Sequence, residues 1–132
     1  MGTRSLTILH GENAEIAVMY RQFDGYPSDY GQELIDFLSP FTMVNGLTSD
    51  SKTVANGPQC LASLLVSHFK GDTPGDIYLH PAGTRDIGEE YTYHVKPNGK
   101  TINLTVFNYS DKRIFDGPVD SWELTTVEKA DS

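Results

Sequence analysis

Runs of alternating polar and apolar residues stand on both sides of two helical segments, and this order is the strongest constraint on the fold. Alternation indicates a strand, because successive side chains of a strand point to opposite faces of its sheet. Strands are predicted over residues 4–9, 15–23, 77–80, 91–96, 101–108, 114–115 and 122–126. The first two lie close enough together for an antiparallel hairpin, and Asn98-Gly99 predicts a type I′ turn between the fourth and fifth.

The clearest helix runs from Gln59 to Lys70, and a shorter one is predicted from Gly31 to Leu38. The apolar residues of the longer segment recur at the spacing of one helix face: Leu61, Leu64, Leu65, His68 and Phe69. Strands grouped on both sides of helices are typical of α+β domains. We therefore predict an α+β fold, with a mostly antiparallel sheet of about five to six strands and two helices packed on one face.

A chain of 132 residues is long enough for one domain. We predict a single α+β domain over residues 1–126 and a polar C-terminal tail over residues 127–132. Residues 39–58 show no clear period, and we expect the apolar residues in their first half to contact the core, in a helical turn. These residues are Phe41, Met43, Val44 and Leu47.

The chain is acidic, with 10 Lys and Arg residues against 18 Asp and Glu residues and a formal net charge of −8. Tight nucleic-acid binding is driven by Lys and Arg that neutralise phosphates, so direct nucleic-acid binding is not expected. No apolar run approaches the roughly 20 residues of a membrane span. No apolar leader follows Met1. We therefore expect a cytoplasmic protein without membrane contact, whose single cysteine, Cys60, forms no internal disulfide.

The common motifs for phosphate loops, dinucleotide binding, nucleophile elbows and zinc sites do not occur in the sequence. The four histidines, for example, form no H-E-x-x-H pair. We therefore predict no cofactor and no metal, and we favour a protein that is not an enzyme.

Two segments combine cations, carboxylates and aromatic rings at the ends of strands. One is Arg21–Ser28, and the other is His80–Asp86, which is followed by Tyr91. Binding residues tend to lie on loops that a rigid scaffold holds in place. The candidate ligand-binding residues are Arg21, Gln22, Asp24, Tyr26, Ser28, His80, Thr84, Arg85, Asp86 and Tyr91.

The two segments would form a shared pocket if they met at one end of the sheet. Arg21 and Arg85 would then make a fork for a carboxylate or phosphate, and tyrosine rings would face a base or a sugar. That combination suits a small anionic, nucleotide-like ligand. The alternative for each segment is structural, with aspartates that cap turns and arginines that pair with them.

The same segments give the chain a resemblance to a family of small uncharacterised proteins from bacteriophages and bacteria. The motifs are Met1–Thr7 (MGTRSLT), Tyr20–Ser28 (YRQFDGYPS), and Gly83–Asp86 (GTRD) followed by Gly88–Tyr91 (GEEY). The chain departs from the family at Asp29-Tyr30, where family members often have Gly-His. The resemblance implies a small phage or prophage accessory protein, of a kind that counters host defences, and it implies no catalytic residues.

Three hypotheses for the function follow. The first is a non-enzymatic binding module for a small anionic ligand or a host protein, such as a defence component or its nucleotide signal. The second is an inhibitor whose acidic surface mimics nucleic acid. The third is a small metal-dependent hydrolase or nuclease that uses Asp24, His80 and Asp86. The oligomeric state is left open, a homodimer included.

Overall fold

The computed structural model describes residues 2–44 and 53–132, which form eight strands and three α-helices. In chain order these are β1 (Ser5–His10), β2 (Glu15–Arg21), α1 (Gln32–Leu38), β3 (Thr42–Val44), β4 (Val54–Asn56), α2 (Gly57–Lys70), β5 (Ile77–Pro81), β6 (Tyr91–Asn98), β7 (Thr101–Phe107), β8 (Arg113–Pro118) and α3 (Leu124–Asp131). A π-helical turn, Pro27–Gly31, leads into α1, and a 3₁₀ turn, Val119–Ser121, precedes α3.

Six strands form the main sheet, in the order β5-β2-β1-β6-β7-β8. Every neighbouring pair is antiparallel except β1 and β6, which run parallel. Strands β3 and β4 form a separate parallel pair. The predicted α+β class, the mostly antiparallel sheet and the hairpin of β1 and β2 are confirmed.

The core lies between the sheet and the helices. Met19 and Tyr93 flank Thr7 in the register of β2, β1 and β6, so their side chains share one face. They belong to the same buried cluster as Leu34 of α1 and Leu65 of α2. We call this side of the sheet the helix face, and the other side the open face.

The open face carries a second, smaller buried cluster of Leu6, Ile8 and Val18. Strand β5 is parallel to β6, so the connection over residues 82–90 must return along the sheet before β6 begins. It does so on the open face, and the Glu90 N–H donates to the Arg4 carbonyl at 2.9 Å where β6 begins. This connection forms one wall of the site described below.

The end of the chain differs from the prediction. The strand predicted over 122–126 is wrong, because Leu124–Asp131 forms α3. Leu124, Val127 and Ala130 recur at the three-residue spacing of a helix, and Val127 is buried in the core. The segment predicted as a polar tail, residues 127–132, therefore continues a helix that packs on the sheet.

Two smaller expectations are also corrected. The hairpin of β6 and β7 has Gly99-Lys100 as its loop, with a positive φ at Gly99, which fits a type II′ turn and not type I′. Met43 is buried as expected, but it lies in strand β3 and not in a helical turn. The expectation for Leu47 lies outside the described residues.

In the part of the chain that the structure describes, no helix is long and apolar enough to cross a membrane.

Candidate functional site

The two arginines that were expected to share a pocket lie at opposite ends of β2. Arg21 is the last residue of that strand, whereas Arg85 is ion-paired with Glu15, the first. Seven strand residues span about 20 Å. Arg21 contacts Tyr30 on the helix face, and Arg85 lines a cleft on the open face. The structure thus does not bring the two segments together, and Arg21 and Arg85 form no common anion fork.

Arg21 is a structural residue in this arrangement. Its Nε donates to the Phe23 carbonyl at 2.6 Å, and its Nη2 donates to Glu33 at 3.3 Å. The guanidinium lies 5.0 Å from the centre of the Tyr30 ring. The side chain is 12% exposed. All of its contacts hold the loop after β2 against α1.

Buried hydroxyl groups hold the same loop in place. The Tyr93 hydroxyl donates to the Gly25 carbonyl at 2.7 Å, and the Tyr30 hydroxyl lies 2.6 Å from the Thr7 hydroxyl. Burial raises the pKa of Tyr30 and of Tyr93 well above the usual range of a phenol. These hydroxyls therefore stay protonated at neutral pH.

The remaining predicted residues of the first segment have mixed environments. Tyr26 and Tyr91 do meet, with ring centres 6.0 Å apart. Gln22 accepts a hydrogen bond from Tyr20 at 2.8 Å, and Asp24 and Ser28 are exposed. The loop after β2 therefore carries a partly exposed aromatic pair.

The Tyr91 hydroxyl is held by the last helix. It donates to Asp131 at 2.6 Å, and Asn108 donates to the same carboxylate at 2.9 Å. Burial first, and then the hydrogen bond to Asp131, raises the pKa of Tyr91 well above its usual value. Tyr91 therefore links β6 to α3.

The second predicted segment does reach a cavity, which we call the Arg85–His94 cleft. Its volume is about 340 Å³, and it lies on the open face beside the connection from β5 to β6. Its lining residues are Arg85, Asp86, Glu89, Thr92, His94, Phe107 and Asp111. Of the predicted residues, Arg85 and Asp86 belong to it. Thr84 lies next to it and donates to the Pro81 carbonyl, while His80 lies away from it, beside Tyr20.

Sequence reasoning missed most of the cleft. Thr92 and His94 alternate in β6 with the core residues Tyr91, Tyr93 and Val95, so they must point away from the core. That alternation is the signal that could have placed them on the open face. Phe107 lies beside them because β6 pairs with β7, which the turn predicted at Asn98-Gly99 already implies. The position of Asp111 depends on the loop from β7 to β8, for which the sequence gives no such signal.

The charge of Arg85 is already neutralised inside the chain. Its guanidinium forms a bidentate ion pair with the Glu15 carboxylate. The same carboxylate accepts a hydrogen bond from the Gly83 N–H at 2.7 Å. The hydrogen bond from Arg85 holds the pKa of Glu15 below its usual value. The pair is therefore charged at neutral pH and has no net charge.

Carboxylates dominate the rest of the lining. The Glu89 carboxylate accepts the N–H groups of Asp86 and Ile87, at 3.0 and 2.8 Å. Asp86 and Asp111 have positive φ angles of 58° and 59°, a conformation that aspartate tolerates better than most residues. Three carboxylates thus border a cleft whose arginine is neutralised.

His94, which lines the cleft, forms a pair with His10. His10 Nε2 lies 2.8 Å from His94 Nδ1, and the His94 ring meets the edge of Phe107 at 5.7 Å between ring centres. Burial is the main cause that lowers both pKa values, and Lys96 adds to it. The pKa of His94 falls to about 4, which His10 and Arg85 also favour. Both rings are neutral at pH 7.

Lowering the pH from 6.5 towards 4 is expected to destabilise the fold through His94. An unfolded histidine takes up its proton near pH 6.5, whereas folded His94 does so near pH 4. Between these values the unfolded state binds more protons, so the free energy of unfolding falls as the pH falls. Urea unfolding at pH 7 and 4.5 measures this loss, which we expect to be smaller in His94→Gln.

An NMR titration of the imidazole signals provides the control. Because the charge of His10 is the second cause of the low His94 pKa, His10→Gln is expected to raise the pKa of His94. A His94 signal that titrates near 6.5 in the unaltered protein would contradict the described environment.

No group of three or more His, Cys, Asp or Glu side chains that could hold a metal ion occurs within residues 2–44 and 53–132. Asp24, His80 and Asp86, which the third hypothesis treats as a catalytic set, form no such group.

Comparison of the chain with protein-family models, curated proteins and solved structures finds no match. The resemblance to phage and bacterial proteins stays a prediction.

Proposed function

We propose that this protein is a non-enzymatic binding module that holds a Lys or Arg side chain of a partner protein in the Arg85–His94 cleft. The observation that carries the proposal is the charge of the cleft lining. Glu15 neutralises Arg85, and the carboxylates of Asp86, Glu89 and Asp111 line the same cavity. In the setting that the resemblance implies, the partner is a host protein, a defence component included.

The floor and rim of the cleft suit different parts of a basic side chain. The rings of Phe107 and neutral His94 offer an apolar surface for the alkyl stem, and a cation near an aromatic face is attracted by about 0.5–2 kcal/mol. The carboxylates at the rim can accept hydrogen bonds from the charged end. A net charge of −8 would also speed the approach of a basic surface.

The small anionic ligand of the first hypothesis has less support at this site. A phosphate would have to displace Glu15 from Arg85 and would then face three carboxylates. Arg21 offers no better site, because it is engaged with Glu33 and Tyr30. Binding of a phosphate is therefore kept as the competing outcome of the test.

Mimicry of nucleic acid is a second candidate function, and one observation favours it. Asp24, Asp76 and Asp111 lie in three loops at the end of the sheet where β1 and β6 begin, and Asp86 lines the cleft together with Asp111. These four carboxylates would supply the acidic surface. Binding through this whole surface should weaken steeply between 50 and 500 mM salt, whereas binding through one side chain should weaken little.

The direct test is an NMR titration of the labelled protein with two matched peptides, Gly-Arg-Gly and Gly-citrulline-Gly. Citrulline has nearly the shape of arginine but no charge. We expect the arginine peptide to shift the amide signals of residues 85–94 and 107–111, and the citrulline peptide to leave them unchanged. Inorganic pyrophosphate is titrated as the anionic probe.

Matched variants locate the binding. Asp111→Asn is expected to weaken binding of the arginine peptide about two- to fivefold, the range for one exposed charge pair. Asp72→Asn removes the same charge from an exposed residue outside the cleft and should have no effect. Pyrophosphate shifts at the cleft that disappear in Arg85→Gln, without any response to the arginine peptide, would replace this proposal with the anionic ligand.

A further inference from the structure

Strand β5 is an edge of the sheet, and its centre is unusually apolar for an edge. It has β2 on one side and, among the strands of the described ranges, none on the other. Leu79, in the middle of the strand, is 63% exposed. Exposed edge strands are templates for pairing with another strand, and proteins normally prevent this with charged residues, proline, bulges or a covering element.

The hydrogen-bonding groups of this edge are satisfied at both ends of β5 but not at its centre. The Gln22 N–H donates to the Asp76 carbonyl, so alternate residues of β5 bond to β2, and Ile77, Leu79 and Pro81 direct their groups outward. Lys70 Nζ donates to the Ile77 carbonyl at 3.0 Å.

The other end is closed by Thr84, whose hydroxyl donates to the Pro81 carbonyl at 2.8 Å, and proline has no N–H. Leu79 is left with an N–H and a carbonyl that bond to no group in residues 2–44 or 53–132.

We propose that β5 pairs antiparallel with β5 of a second copy of this chain, with Leu79 opposite Leu79, so that the sheet continues across a twofold axis. In this register Leu79 of each copy exchanges both of its hydrogen bonds with the other. The same symmetry places Ile77 opposite Pro81 of the second copy.

Self-pairing fits this edge better than pairing with an unrelated strand. A residue opposite Pro81 has a carbonyl that receives no N–H. In the twofold arrangement that residue is Ile77 of the second copy, whose carbonyl Lys70 already satisfies. The hydrogen bond that proline cannot donate is therefore missing only at the Ile77 carbonyl, which already accepts one from Lys70.

In this register, side chains of the two copies would also contact each other on both faces of the sheet. On the helix face, Leu79 borders an apolar groove of about 450 Å³ between α2 and β5, which includes Ile16, Ala17 and Val66. Leu79 of the second copy would lie against Leu79 and cover the mouth of this groove.

On the open face, Tyr20 lies 6.1 Å from Tyr78 and 6.0 Å from His80, between ring centres. Tyr78 would lie opposite His80 of the second copy. The dimer therefore joins two three-ring patches into one continuous aromatic surface, which neither copy has alone. His80, which the sequence singles out as a binding residue, lies at this junction.

Sedimentation velocity of the full chain at 100 μM and 300 mM salt tests the dimer, since salt screens the repulsion between two chains of net charge −8. We expect a dimer that Leu79→Lys converts to monomer. The exposed position of Leu79 lets the variant fold, which its unchanged circular dichroism would show. A monomer for the unaltered chain overturns the proposal.

Disulfide trapping tests the register in a Cys60→Ser background, which removes the native thiol. Leu79→Cys should form a covalent dimer, because Cα atoms of a hydrogen-bonded antiparallel pair are about 5.5 Å apart, within disulfide range. Tyr78→Cys alone should not, since its position faces His80 of the second copy. A mixture of Tyr78→Cys and His80→Cys should cross-link. Equal cross-linking of Leu79→Cys and Tyr78→Cys would mean random collision and would overturn the register.

Discussion

Replacing Arg21 with alanine is expected to lower the free energy of unfolding by about 2–3 kcal/mol. The variant loses a charged hydrogen bond to the Phe23 carbonyl, a contact with the Tyr30 ring, and the packing of a side chain that is only 12% exposed. It also leaves the loop after β2 without its anchor to α1. Urea unfolding at pH 7 measures the change.

Three further variants separate the contributions. Glu33→Gln should cost less than about 0.5 kcal/mol, because the ion pair is exposed on the Glu33 side. Arg21→Lys should lie between Glu33→Gln and Arg21→Ala, since an ammonium group cannot reach both partners in the way a planar guanidinium does. Arg85→Ala, at a partly exposed ion pair, should cost about 1 kcal/mol. Equal effects of Arg21→Ala and Arg85→Ala would contradict the separate roles assigned to them.

The different roles of Arg21 and Arg85 could not be predicted from the sequence. Each stands near carboxylates and tyrosines in a loop at a strand end, so the local patterns look alike. The groups that decide their roles are far away in the chain: Glu33 is 12 residues from Arg21, and Glu15 is 70 residues from Arg85. Local patterns carry no information about such pairs.

The six strands of the main sheet were predictable because alternation is a local property. Their positions and that of α2 follow from side-chain period and turn residues to within about three residues at each end, whereas the short strands β3 and β4 were not predicted. The order of the strands in the sheet was not predictable, because it depends on pairings between strands that are far apart in the chain. Strand β5 pairs with β2, and β6 pairs in parallel with β1. Those pairings separate Arg21 from Arg85, so the position of the cleft could not be derived without them.

Two local signals compete at the C-terminus. Trp122, Thr125 and Thr126 favour strands, whereas Leu124, Val127 and Ala130 have the spacing of a helix. Helix spacing prevails because α3 buries Val127 in the core and places Asp131 where Tyr91 and Asn108 donate to it. Tertiary contacts decide between the two, as is usual where intrinsic preferences are weak.

Replacing Val127 with aspartate is therefore expected to destabilise the protein by about 3–5 kcal/mol, because it places an unpaired charge in the core. Val127 is 1% exposed, and its displacement would also pull Asp131 away from Tyr91. For a domain of this size, the expected fall in Tm is about 10–15 °C. Thermal unfolding followed by circular dichroism measures it.

The neighbouring residue gives a matched control for this last result. Glu128 is exposed one position further along α3, so Glu128→Gln should change the Tm by no more than about 2 °C. Val127→Ala should fall between the two variants, since it removes apolar volume without adding a charge. If Val127→Asp behaved like Glu128→Gln, residues 127–132 would be the polar tail that composition suggests. The contacts of Asp131 with Tyr91 and Asn108 would then contribute nothing to the stability of the sheet.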